Sequence, residues 1–190
     1  MKTVDRSNLP RVLVCSINPW QDKSAIRTLI DIFSCWDKEK LSQVYTKAGL
    51  PDTSVCDNFF RINENAVIKS IFKRSTKTSE KVYNTKSDTK AQQQEIEKEN
   101  NRYKNASKHH SWFMTLCREL VWAFGKRKTK ELDKFLDEAK PDVLFMPVYP
   151  VVYMAWIQKY IIKYTGKPVV YYLGDDNYSY ASCGKNPLAY

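Results

Sequence analysis

The segment VVYYLGDDNY, residues 169–178, runs five apolar or aromatic residues into a glycine and then two acids, Asp175 and Asp176. Adjacent carboxylates repel each other and lose hydration when enclosed, so they either stand in water or face a group that needs negative charge. A turn followed by a helix start, where acids complement the helix dipole, accounts for them. So does a site in which one carboxylate accepts a proton from, or hydrogen-bonds to, a hydroxylated substrate; adjacent side chains rarely point the same way, so only one of the pair would act. Trp20 offers a ring that could stack on a sugar or base, or close off the end of a sheet. Ser24 could cap a helix and, with that helix's unpaired N–H groups, hold a phosphate. His109 and His110 are the only histidines; they lie at the edge of a polar stretch, where a solvated helix start is the plainer reading and no triad follows from position. Lys126, Arg127, Lys128 and Lys130 could meet phosphates or anionic headgroups, or form the solvated face of a helix.

Missing motifs argue against several chemistries. The first loop, INPWQDKS, has no glycine, so the G-x-G-x-x-G cradle for a dinucleotide pyrophosphate is absent. No GK[ST] is present for a nucleotide triphosphate. A phospho-receiver domain needs acids ending its first and third strands; Asn18 and Asn63 stand there. The five cysteines, Cys15, Cys35, Cys56, Cys117 and Cys183, are odd in number and never at CxxC spacing, which argues against a disulfide framework or a zinc site and fits a reducing, cytoplasmic compartment. No metal or cofactor is expected from these residues.

The elements that must position these groups follow from apolar runs and their period. RVLVCSI (11–17), LSQVYT (41–46), NFFRI (58–62), DVLFMP (142–147) and PVVYYL (168–173) read as short buried strands. Ser24 predicts a helix start, carried on by Ile26, Leu29, Ile30 and Phe33. Further helices are expected over 66–73 and 151–164, the latter stopped by Gly166, and over one or two segments around Gly125. There Trp112, Phe113, Leu116, Leu120, Ala123 and Phe124 form one stripe that Leu132, Phe135 and Leu136 extend. Residues 74–110 are mostly Lys, Ser, Thr, Asn, Gln and Glu and predict a polar, mobile insertion, with helix favoured in AQQQEIEKENNRY.

The order of these elements predicts a single α/β domain: a Rossmann-like open, mostly parallel sheet with helices on both faces. Ligands gather at the carboxyl ends of such strands, near the switch in strand order. Three loops should therefore matter: Asn18–Ser24, Pro147–Pro150 and Gly174–Tyr178. The expected site gathers Asn18, Trp20, Ser24, Tyr149 and the acid doublet in one pocket at the rim. A chain of 190 residues with 43% hydrophobic residues can bury a sizeable core, and its formal charge of +10 favours anionic partners. The N-terminus lacks a signal-peptide core, and the longest apolar run, 143–157, is too short to span a bilayer and holds Pro147 and Pro150. Peripheral contact with an anionic membrane fits the charge. Nucleic acid is disfavoured, because the tyrosines fall inside predicted core elements rather than on an open sheet face.

Taken in order, IFSCWDKEKLSQVYT (32–46), VCDNFFRI (55–62), KPDVLFMPVYP (140–150) and VVYYLGDDNY resemble the first half of bacterial glycosyltransferases of the GT-B type, in the broad family 4 group. The resemblance covers most of the chain outside the insertion. It implies two Rossmann-like domains facing a cleft, of which this chain is the N-terminal, acceptor-side one. The nucleotide-sugar would bind a C-terminal donor domain absent here, and a sugar or lipid-linked acceptor of polysaccharide biosynthesis would bind this half. No metal is implied. Asp175 or Asp176 would lie near the acceptor hydroxyl and position or deprotonate it, and this half alone would be inactive. The glycine-rich first loop of many such enzymes is replaced by Asn18-Pro19-Trp20. The alternative is a non-catalytic α/β module that binds an anionic ligand or nucleic acid.

Overall fold

The computed structural model describes residues 8–23, 27–84 and 112–174, with isolated helical positions at 94, 96, 97 and 101. Strand β1 (Val12–Ser16) is buried at all five positions, as a strand apolar on both faces must be. It therefore takes the middle of the sheet. Strands β2 (Leu41–Tyr45), β3 (Asn58–Ile62), β5 (Val143–Pro147) and β6 (Val169–Tyr172) run parallel with it, and β4 (Ser79–Val82) closes one edge antiparallel to β3. The six-stranded order is β4-β3-β2-β1-β5-β6. This is the Rossmann-like α/β fold that the sequence predicts.

Alternation along β1 splits the core in two. Val12 and Val14 face Trp20, Leu41, Tyr45 and Phe59 together with Ile30 and Phe33 of α1 (Thr28–Phe33). Leu13 and Cys15 face the opposite layer. There α2 (Glu64–Phe72), α3 (Trp112–Phe124), α4 (Lys130–Ala139) and α5 (Val152–Thr165) contribute Val67, Trp122, Leu132, Phe135, Tyr153 and Ile157. Each large side chain withdrawn from water in this way contributes roughly 1.5–3 kcal/mol.

The helix ends are set by local chemistry. Asn63 caps α2 by accepting the Ala66 N–H at 3.1 Å, and Thr129 caps α4 by accepting from Leu132 N at 3.1 Å. Helix α4 buries Leu132, Phe135, Leu136 and Ala139, the i, i+3, i+4, i+7 face, and ends at Lys140 in the left-handed region. Helix α5 ends at Gly166, φ 63°.

Three local expectations are corrected. The sixth strand, β4, lies within the span 74–110 read as a polar insertion. Its pattern is hidden because its polar groups find partners across the fold. Glu80 pairs with Arg61 at 2.9 Å, and the Ser79 hydroxyl meets that of the cap residue Thr129 at 2.6 Å. Helix α1 begins at Thr28 with Arg27 at its N-cap and no side-chain cap, later than the start expected at Ser24, which lies outside the described residues. The apolar stripe expected on the α3 segment is not the face turned to the core. Phe113, Leu120 and Phe124 are exposed, and the buried apolar side chain is Trp122, which lay outside that stripe.

Candidate functional site

The chain passes from β1 outward through β2 and β3, then returns to build β5 and β6 on the other side of β1. The switch in strand order thus lies between the carboxyl ends of β1 and β5, where open α/β sheets bind ligands. Four connections meet along this rim: residues 17–20 after β1, 46–50 after β2, 148–151 after β5, and Leu173-Gly174 after β6.

On the α1 side the described residues of the rim are stitched together. Gln43, fully buried in β2, accepts from the Trp20 N–H at 3.2 Å and donates to Ser16 Oγ at 2.6 Å and to the Asn18 carbonyl at 2.9 Å. One amide therefore fixes the whole turn after β1. Trp20 follows this turn inward, is 3% exposed, and stacks on Phe33 at 5.8 Å and 23°. The loop is anchored further on, where the Asp22 carboxylate accepts from the hydroxyls of Thr53 at 2.7 Å and Ser54 at 3.2 Å and from Ser54 N at 3.1 Å.

The crevice at the switch point is plugged by side chains of the protein itself. Gln158 Nε2 donates to the Cys15 carbonyl at 3.3 Å and the Pro147 carbonyl at 2.9 Å, bridging the ends of β1 and β5. The N-terminus of α5 has no cap of its own. Glu119, a buried carboxylate from α3, accepts from Val152 N and Tyr153 N, each at 2.8 Å. Unpaired N–H groups at a helix N-terminus are what an anion binds, and here the protein's own carboxylate takes them. Beside them Arg118 donates to Glu64 at 2.8 Å and to the Tyr153 hydroxyl at 3.0 Å, and Trp122 stacks on Tyr153 at 4.6 Å. Burial pushes the Tyr153 phenol up to about 12.

The rim opens next to this plug. A cleft of about 500 Å³ lies between α5 and β6, lined by Val148, Tyr149, Met154, Gln158, Lys159 and Tyr171 among others. Tyr149 and Tyr171 bring aromatic rings, and Lys159 and Gln158 bring hydrogen-bonding groups. Aromatic surface with a few polar tips is the usual lining of a small-molecule cleft. Burial holds the Tyr149 phenol well above its usual pKa, against an opposing backbone hydrogen bond at Ile17, so it stays protonated and acts as a hydrogen-bonding group rather than a base.

The predicted site residues are therefore divided. Tyr149 lines the cleft. Trp20 packs in the core layer on the other face of the sheet, so it offers no ring to a ligand at the rim, and the single pocket expected to hold both does not form. Asn18 is exposed at the rim, its carbonyl held by Gln43 and by the Ser16 hydroxyl at 3.1 Å. Ser24, Asp175 and Asp176 lie outside the described residues; the described chain stops at Gly174, just past the carboxyl end of β6. Sequence reasoning missed Gln158, Lys159, Tyr171 and Glu119. Glu119 had a legible signal: it is the single acid in the apolar run 112–124, three residues after Leu116 on the same helical face, where a buried carboxylate must find donors. Among the described residues no cluster of His, Cys, Asp and Glu could hold a metal ion, and no helix is long and apolar enough to cross a membrane. Cys15, Cys35, Cys56 and Cys117 are unpaired, and burial pushes the Cys15 and Cys56 thiols up to about 12.

The fold and rim define a Rossmann-like α/β domain whose helix-terminal anion seat at α5 is filled by its own glutamate and whose open cleft is aromatic. No family model, curated protein or solved structure matches the chain.

Proposed function

We propose that the chain is the acceptor-side half of a GT-B type glycosyltransferase, with the cleft between α5 and β6 as the seat for a sugar or lipid-linked acceptor. The observation that carries this reading is the contrast at the rim. Glu119 occupies the N–H groups at the head of α5 that an anion at the switch point could use, whereas Tyr149, Tyr171 and Lys159 border an open cleft. A half that binds the acceptor needs the second feature and not the first. The nucleotide-sugar then belongs to a donor domain outside this chain, and one of Asp175 and Asp176, directly after β6, positions or deprotonates the acceptor hydroxyl.

The test is a calorimetric titration of the 190-residue chain with octyl glucoside below its micelle-forming concentration, and separately with uridine diphosphate. The glycoside should bind, and Tyr171→Ala should weaken it by about tenfold through loss of ring stacking. Binding of uridine diphosphate without the glycoside would overturn the assignment of this half. In a protein that carries both halves, Asp175→Asn or Asp176→Asn should abolish transfer; wild-type rates in both variants would remove the acid doublet from the mechanism.

A non-catalytic module for anionic ligands is the competing reading, favoured by the basic surface described next. Salt-dependent binding of oligonucleotides with no response to glycosides would support it.

A further inference from the structure

Helix α3 is apolar on two faces, one buried in the core and one with exposed side chains. Trp122 is buried, whereas Phe113, Leu120 and Phe124 are 56%, 43% and 62% exposed. With Cys117 they fall at i, i+4, i+7 and i+11, a continuous stripe along one side of the helix. Phe72, the last residue of α2, is 89% exposed. Water-facing phenylalanines at such a density mark a surface that meets something apolar.

The carboxyl ends of α2 and α3 are locked into one corner. A Cβ on Gly125 would come within 2.4 Å of Val67 Cγ1, so the two helices approach more closely there than any side chain allows. Lys126 N donates to Ser70 Oγ at 2.8 Å, and Arg74 Nη1 donates to the Phe124 carbonyl at 3.1 Å. Phe72-Lys73-Arg74 and Phe124-Gly125-Lys126 therefore leave from the same corner.

The described segments that form this corner carry one sign of charge. Residues 65–79 and 120–130 hold eight Lys or Arg and no Asp or Glu. Arg127 and Lys128 turn toward α5, over Trp156 and Tyr160, while Lys69, Lys73 and Arg74 are exposed. The two acids of α2 and α3 are already engaged, Glu64 with Arg118 and Glu119 with the α5 backbone. Among the described residues Glu80, Glu131 and Glu138 border a separate groove, together with Lys77.

We propose that this corner docks the protein on an anionic lipid surface, with Phe72, Leu120 and Phe124 entering the headgroup–acyl boundary and Lys69, Lys73 and Arg74 meeting lipid phosphates. A stripe of apolar side chains on a helix lying flat, flanked by basic residues, is the pattern that binding at a bilayer interface requires. A nucleic acid would meet the lysines but would gain little from burying a continuous aliphatic and phenyl stripe. The inference does not depend on the glycosyltransferase reading.

The test is co-sedimentation of the 190-residue chain with vesicles of equimolar phosphatidylcholine and phosphatidylglycerol, against vesicles of phosphatidylcholine alone. The chain should sediment with the mixed vesicles only, and less so as salt rises. Phe72→Ala with Phe124→Ala, both at exposed positions, should lower partitioning by about a hundredfold, roughly tenfold for each ring withdrawn from lipid. Lys73→Glu with Arg74→Glu should also weaken it, whereas Lys134→Glu on α4, a control at an exposed lysine away from the corner, should not. Equal binding to both vesicle types, wild-type partitioning by the double phenylalanine variant, or binding to oligonucleotides in place of vesicles would overturn the proposal. So would a lipid-free dimer that the phenylalanine substitutions dissolve, because the face would then serve a second copy of the chain.

Discussion

The two sides of the carboxyl rim solve the same problem in opposite ways. On the α1 side Gln43 satisfies the turn after β1 and Trp20 is drawn into the core. On the α5 side the backbone of the turn is equally well satisfied, by Glu119 and Gln158, yet the surface above it stays open between Tyr149 and Tyr171. The difference lies in which side chains are left over once the backbone is satisfied. The α1 side has a tryptophan and the helix residues Ile30 and Phe33 to cover it; the α5 side ends at β6, an edge strand with Val170 and Tyr171 in water. Position at the carboxyl ends of the strands is thus not enough to make a cleft: among the described residues the α1 half is filled by its own side chains, and the α5 half is open.

Substitution at the closed side should cost stability and little else. Trp20→Ala opens a cavity beneath Phe33 and should destabilise by about 4 kcal/mol in urea unfolding while leaving glycoside binding unchanged at temperatures where the chain is folded. A strong binding loss at unchanged stability would erase the distinction between the two sides.

Glu119→Ala should come next, at about 3 kcal/mol, because two N–H groups at the head of α5 lose a charged acceptor. It also sharpens the comparison. With the seat emptied, inorganic phosphate should stabilise the variant and not the wild type. Equal phosphate effects on both proteins would mean that Glu119 does not exclude an anion.

On the open side, Lys159→Ala should change stability by less than about 0.5 kcal/mol, since Lys159 is exposed, but should weaken glycoside binding several-fold. The smallest effect belongs to Asp22. Burial alone would raise its carboxyl pKa, but hydrogen bonds from Thr53 and Ser54 and the charge of Arg27 outweigh it and lower the value from the ordinary 3.8. A depressed carboxyl pKa adds stability above the unfolded value and loses it as pH falls through the folded value. The stability gap between wild type and Asp22→Asn should therefore be present at neutral pH and close on acidification below 3.8. A gap that widened in acid would reverse the sign of this interaction.

Much of the sheet was legible because apolar strands announce themselves: VLVCS, LSQVY and VLFMP need no partner to be read as buried. β4 was not legible, because Ser79 and Glu80 are tolerable in a strand only once Thr129 and Arg61 are in place, and those partners are distant in sequence. Tyr149 was found through its place after β5. Trp20 was open to two readings from sequence, since a tryptophan at a strand end suits a lid as well as a ligand, and the burying partner Phe33 decides it. Lys159 and Tyr171 gave no local signal, because the cleft exists only where α5 passes over β6. The α3 stripe misled for a physical reason: hydrophobic period reports which residues share a face and not whether that face is covered.

The most direct measurement is methyl NMR on the chain labelled at its four methionines, titrated with octyl glucoside. Met154 lines the cleft, whereas Met146 lies fully buried in β5. A ligand seated between α5 and β6 moves the Met154 methyl resonance first and leaves Met146 still, and in Tyr171→Ala the Met154 response needs about tenfold more glycoside. Glycoside binding that leaves Met154 unmoved would put the ligand elsewhere and contradict the assignment of the open half of the rim as the site.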